Sequence, residues 1–96
     1  MRVRVTRFQF PAADVEKAVQ QLNGALDGLS KQGLERVDIF VNPKTGGAVT
    51  VAVWETEEAM KASEEEAEQI RGELALELTG WIQDVEQYDV VRSEAY

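Results

Sequence analysis

Among its 96 residues the chain has no cysteine and no histidine. Without cysteine there is no disulfide, no thiol nucleophile and no thiolate metal site. Without histidine the commonest metal ligand, the usual haem ligand and the commonest general base near neutral pH all drop out, and no Ser-His-Asp triad can be assembled. The expectation is a protein without a metal or other cofactor. Positive charge is scarce: 10 Lys and Arg stand against 18 Asp and Glu, a net charge of -8. Such a surface repels phosphate backbones and anionic lipid, so neither nucleic acid nor membrane is expected as a partner. No apolar run approaches the ~20 residues needed to cross a bilayer. The opening "MRVRVTRFQF" alternates charged and apolar residues where a secretory signal has an unbroken apolar stretch, and the compartment expected is the cytoplasm. There is no Gly-rich dinucleotide fingerprint and no P-loop; "KTGG" lacks that spacing.

What is present reads as one domain over residues 1–96. In "RVRVTRFQF" Val3 and Val5 fall on one face of a strand and Thr6, Phe8 and Phe10 on the other, with a phase slip expected near Arg7. Pro11 ends it. In "ADVEKAVQQLNGALDGLSKQG" Val15, Val19, Leu22, Leu26 and Leu29 recur three and four apart, the stripe of an amphipathic helix, with Asp14 as N-cap and Gly33 as stop. Gly24 and Gly28 inside it each cost about 1 kcal/mol against alanine. Strands follow in "LERVDIFV" and "AVTVAVW", joined by the turn-forming "NPKTGG". Thr56 caps a helix from about 57 to 79, broken near Ser63, whose inner side carries Ala59, Met60, Ala67, Ile70, Leu74 and Leu78. Within it "SEEEAE" reads as a solvated face rather than a metal site. Gly80 stops the helix and "VEQYDVVRSE" is the last strand.

The order β-α-β-β-α-β is the ferredoxin-like α+β split: a four-stranded antiparallel sheet with its helices on one face. The uncovered face would be polar if it met water. Instead Val49, Val51 and Val53 form an apolar row, opposite Thr50, Ala52 and Trp54. Both faces seek cover, and one copy has helices for only one. A chain this small buries only roughly 60–68% of its unfolded surface. A homodimer, sheet against sheet, is the expected assembly.

The stretch "VAVWETEEAMKAS", with "GLERVDIFVNP" before it and "VEQYDVV" after it, resembles the antibiotic biosynthesis monooxygenase family of dimeric α+β barrels, over nearly the whole chain. That resemblance implies a pocket between sheet and helices, with Trp54 matching the tryptophan that lines it. The haem-degrading branch also uses a strand asparagine, whose place falls at Thr6, and a helix histidine, which this chain lacks; haem degradation is therefore rejected. The cofactor-independent branch holds a phenolate in an apolar pocket and lets it react with oxygen directly. By that resemblance the pocket-lining candidates are Trp54, Thr6, Phe8, Thr50 and Ala52, with Arg7 or Arg92 to stabilise an oxyanion and Tyr88 as a hydrogen-bond donor. No catalytic base is identifiable.

Two readings stay open for Trp54: wall of a ligand pocket, or a large core residue sealing sheet to helix. Two stay open for function: a cofactor-independent monooxygenase acting on a small aromatic or polyketide-like molecule, or a non-catalytic dimeric module that binds a small ligand or supports an assembly.

Overall fold

The computed structural model describes residues 1–28, 31–77 and 80–96. Its elements are β1 (Arg2–Gln9), α1 (Val15–Gly28), β2 (Leu34–Val41), β3 (Gly47–Trp54), α2 (Glu57–Ala62), α3 (Glu64–Glu77) and β4 (Trp81–Asp89), with a short 3-10 turn, Ala12–Asp14, ahead of α1. The four strands form one sheet in the order β2-β3-β1-β4, every neighbouring pair antiparallel. This is the ferredoxin-like α+β arrangement expected from the sequence.

The pleat of β1 sorts its side chains by parity. Arg4, Thr6, Phe8 and, just past the strand, Phe10 are buried beneath the helices, whereas Val3, Val5 and Arg7 are half-buried on the opposite face. Phe8 and Phe10 stack with ring centroids 5.6 Å apart. With Ala18, Leu22 and Ala48 they form the core, flanked by Ala25, Ile39, Ile70 and Ile82. The phase slip expected near Arg7 is absent from β1 itself. It sits in the partner strand: Arg7 pairs with Asp84 and Phe8 with Ile82, leaving Gln83 as the extra residue of a bulge. The same bulge explains why β4 begins at Trp81 rather than at Val85; the strand ends at Asp89, short of the expected residue 94. The extra residue breaks the alternation of "WIQDV", so the strand's first half does not read as a strand.

Three turns fix the connections. In the β2–β3 hairpin, Gly46 N–H donates to Asn42 O, and the Asn42 side chain accepts from the N–H groups of Lys44 and Thr45. Gly46 sits at φ +80°, and a Cβ there would overlap the carbonyl oxygen of Phe10. Thr56 caps α2, its hydroxyl accepting from Ala59 N–H at 3.1 Å. Ser63 separates α2 from α3; its hydroxyl donates to Met60 O at 2.8 Å, diverting the local hydrogen bonding where the two helices meet.

On α1, Ala18 and Leu22 are buried and Val15, Val19 and Leu26 half-buried. Asp14 lies in the 3-10 turn directly ahead of α1, and Gly33 (φ 76°) in the turn before β2. Leu29 and Leu78, and the side chain of Leu74, lie outside the description.

Candidate functional site

A cavity of ≈ 70 Å³ lies between the sheet and the helices. Its floor is Thr6 and Phe8 of β1, Thr50 and Ala52 of β3, and Val37 of β2. Thr6 pairs with Thr50 and Arg4 with Ala52 across the β1–β3 ladder, so the two small β3 residues leave their space in the middle of the sheet. The roof is Leu22, Ala25 and Leu26 of α1 and Ala67 and Ile70 of α3. Ala25 and Ile70 also face a groove on the outer side, between α1 and α3, whose walls include Gly24 and Gly28. A Cβ added at either glycine would meet nothing within 4 Å. Their missing side chains leave that groove open.

Two arginines complete the lining. Arg4 enters from β1 and Arg71 from α3, only 4% and 8% exposed. Both bind one carboxylate: Arg4 Nη1 donates to Glu64 Oε2 at 2.5 Å and Arg71 Nη2 to Glu64 Oε1 at 3.0 Å. Arg4 Nη2 also donates to the buried Ser63 hydroxyl at 3.1 Å. Burial pushes the Glu64 carboxyl up, but the hydrogen bonds from Arg71 and Arg4 outweigh it and hold the group below its ordinary value. Glu64 is therefore not part of a solvated acidic face, as "SEEEAE" suggested; it is half-buried and ties Arg4 of the sheet to Arg71 of α3. Among the described residues no three carboxylates cluster as cation ligands.

Thr6, Phe8, Thr50 and Ala52, named from the sequence, meet at this cavity. Trp54 does not line it. Trp54 is fully buried behind Arg4, whose guanidinium lies over the indole ring at 5.5 Å from its centroid. It instead borders a second, more polar groove with Gln32, Glu58 and Ala59. Its indole N–H is buried and has no acceptor among the described residues. Position explains the displacement: Trp54 ends β3 opposite Arg2 and Leu34, at the margin of the sheet rather than its middle. The other three candidates lie elsewhere. Arg7 projects from the uncovered face and pairs with Asp84 at 3.1 Å and Glu86 at 3.4 Å. Tyr88 is opposite Val3 on that same face and exposed. Arg92 lies past the end of β4, bonded to Glu94.

Arg4 and Arg71 are the residues that sequence reasoning missed. Each carried a signal. Arg4 shares the parity of Thr6, Phe8 and Phe10, so an inward Phe8 requires an inward Arg4. Arg71 follows Ala67 by four and Glu64 by seven, on the helix stripe assigned to the inside.

No protein-family model matches the chain, and no curated protein matches it. Solved structures do. A protein named antibiotic biosynthesis monooxygenase superposes with a TM-score of 0.69 at 14% identity, covering 96% of this chain and 100% of the other. A dimeric ferredoxin-like protein from an uncultured marine organism gives 0.72 at 16% identity, covering 99% and 98%. SnoaB, a cofactor-independent oxygenase from Streptomyces nogalater, gives 0.64 at 14% identity, covering 96% and 94%. At such identities it is the fold that is shared, and the fold of this chain is the ferredoxin-like one of the antibiotic biosynthesis monooxygenases.

Proposed function

We propose that the chain binds a small aromatic molecule in the cavity between sheet and helices, and oxygenates it without a metal or organic cofactor. The observation that carries this reading is an apolar cavity whose only charged lining, among the described residues, is a pair of buried guanidiniums, Arg4 and Arg71. Fixed positive charge in a dry site favours the anion of a bound phenol over its neutral form. An electron-rich phenolate can pass electrons to oxygen directly. For a phenol with a free para position the overall change balances as phenol plus O2 giving para-quinone plus water: one oxygen atom bonds to the ring carbon, the other leaves as water, and the ring is oxidised. The cavity is smaller than the about 150 Å³ that encloses a benzene ring, so it suits one ring reaching into the α1–α3 groove better than a polycycle. The likeness to a cofactor-independent oxygenase supports the same reading.

Assembly is part of the proposal. The uncovered sheet face carries Val3 and Val5 of β1 beside Val49, Val51 and Val53 of β3, framed by the exposed rings of Phe40 and Tyr88. A second copy packed sheet to sheet would bury this face, and one of the structural neighbours is named as dimeric.

One observation favours a second reading, a ligand-binding module without catalysis. The cavity lacks a base: the described lining offers only the hydroxyls of Thr6 and Thr50, while Glu64 is held ionised and weakly basic by two arginines. Phenols and naphthols should be offered to the purified protein in an oxygen electrode with chelator present. Oxygen uptake matched one to one by quinone supports the enzyme; saturable binding without uptake favours the module; no binding at all rejects both.

A further inference from the structure

The charge around the cavity does not balance. Arginine remains protonated at any pH a folded protein meets. Arg4 and Arg71 therefore place two positive charges on the cavity wall, each more than nine-tenths buried. Among the described residues only Glu64 pairs with them, one oxygen to each. Thr6 and Thr50 are neutral and the remaining walls apolar. One net positive charge is left facing an apolar space. An uncompensated buried charge is unfavourable, and a ligand that brings one negative charge offsets it.

The donors specify which anion. Glu64 already demonstrates that the two guanidiniums accept a carboxylate bridging them, at 2.5 Å and 3.0 Å. Arg71 spends only Nη2 on that bridge; its other donors have no hydrogen-bond partner among the described residues. Arg4 is backed by the Trp54 ring and held by Ser63, so its guanidinium is fixed in place rather than free to swing. A guanidinium fork presents paired N–H groups, which match the two oxygens of a carboxylate better than the single oxygen of a phenolate. A carboxyl group is also ionised without help at neutral pH, its ordinary value being about 4.3 against about 10 for a phenol. Binding such an anion therefore needs no base.

We propose that the natural ligand of this cavity is a small single-ring carboxylic acid, bound as its carboxylate by Arg71 and Arg4 with its ring beside Ala25 and Ile70, toward the α1–α3 groove. This deepens the function proposed above and rests on it only in taking the cavity as the ligand site. Glu64 then competes with the ligand for donors of the two guanidiniums.

Benzoate, benzamide and phenol serve as probes, with Trp54 fluorescence read in a Trp81→Phe background. Benzoate should bind at least about tenfold tighter than benzamide, the scale of one charge-assisted hydrogen bond. Arg71→Gln should abolish that preference, benzoate falling to the affinity of benzamide. Arg71→Lys, which keeps the charge but loses the fork, should lose most of it and guards against a folding defect in the glutamine variant. Glu64→Gln should strengthen benzoate binding and leave benzamide alone, because it removes a competing negative charge; a carboxylate needed only for folding would weaken both. Benzamide binding as tightly as benzoate, or a benzoate preference that survives both Arg71 substitutions, overturns the carboxylate assignment. If phenol still binds in that case, the cavity remains a ligand site for another class; if none of the three probes binds, both proposals fall together.

Discussion

Arg4 does three things from one buried position: it lines the cavity, bonds Glu64 and Ser63, and covers Trp54. An arginine this deep is tolerated because its planar head stacks on an aromatic face while its edge donates hydrogen bonds. The pairing makes Glu64 a source of pH-dependent stability. Its folded value lies below the ordinary 4.5, so the folded protein binds fewer protons than the unfolded chain in the window below that value. The stabilisation is complete above pH 4.5 and drains away as pH falls through the lower folded value. Glu64→Gln should therefore be less stable than the parent at neutral pH, with the gap closing on acidification; urea midpoints from pH 7 to 3 check this. A gap independent of pH would mean that the carboxylate charge is not what stabilises. Trp54 makes a different kind of contribution, by volume. It is wholly buried, and Trp54→Ala should cost about 3–5 kcal/mol in denaturant unfolding. Since the ring borders Arg4 rather than the cavity, Trp54→Phe should weaken ligand binding only through a less firmly held Arg4.

At the scale of elements, one substitution has opposite signs at two glycines. Gly24 lies within α1, and an added Cβ meets nothing within 4 Å. Gly24→Ala should stabilise the fold by about 1 kcal/mol, through helix propensity alone. Gly46 sits at φ +80° against the carbonyl oxygen of Phe10, and the backbone N–H of Phe10 donates to Gly46 O at 3.0 Å. Gly46→Ala should destabilise, by about 1–3 kcal/mol, because the left-handed backbone is strained for any side chain and the hairpin must shift away from β1. Thermal melts of the two variants should move in opposite directions. The break at Ser63 is also an element-scale device: it lets α2 turn its buried Met60 toward β1 and β3 while α3 begins with Glu64 bonded to Arg4.

For the whole molecule the open question is the valine face. Five valines on the two central strands, edged by Phe40, Tyr88 and the charged Arg7, Asp84 and Glu86, make a patch of apolar centre and polar rim, the anatomy of a protein interface. Val51 lies at its middle, between Val5 on one side and Asp38 on the other. Val51→Asp should convert the proposed dimer into a monomer, since burying an unpaired carboxylate costs several kcal/mol, and light scattering at micromolar concentration reads the result. A parent protein that is already monomeric under those conditions sinks the dimer.

The sequence by itself determined the order of elements, the strand parity and the capping of α2, because these depend on residues two to four apart and on local backbone chemistry. Thr6, Phe8, Thr50 and Ala52 were legible as a set for the same reason: parity places them on one face. Only the tertiary structure decided what meets across that face. The register of β1 on β3 sets Arg4 against Ala52, the break at Ser63 delivers Glu64, and the turn of α3 brings Arg71 round to the same carboxylate. Those partners are 60 and 7 residues from one another along the chain, and no periodicity encodes the longer distance. The same dependence on register set Trp54 at the margin, opposite Arg2 and Leu34, and Tyr88 beside Val3 on the opposite face, where parity alone already put Arg7. A bulged residue at Gln83 hid the start of β4, because one extra residue inverts the alternation on which a strand is recognised.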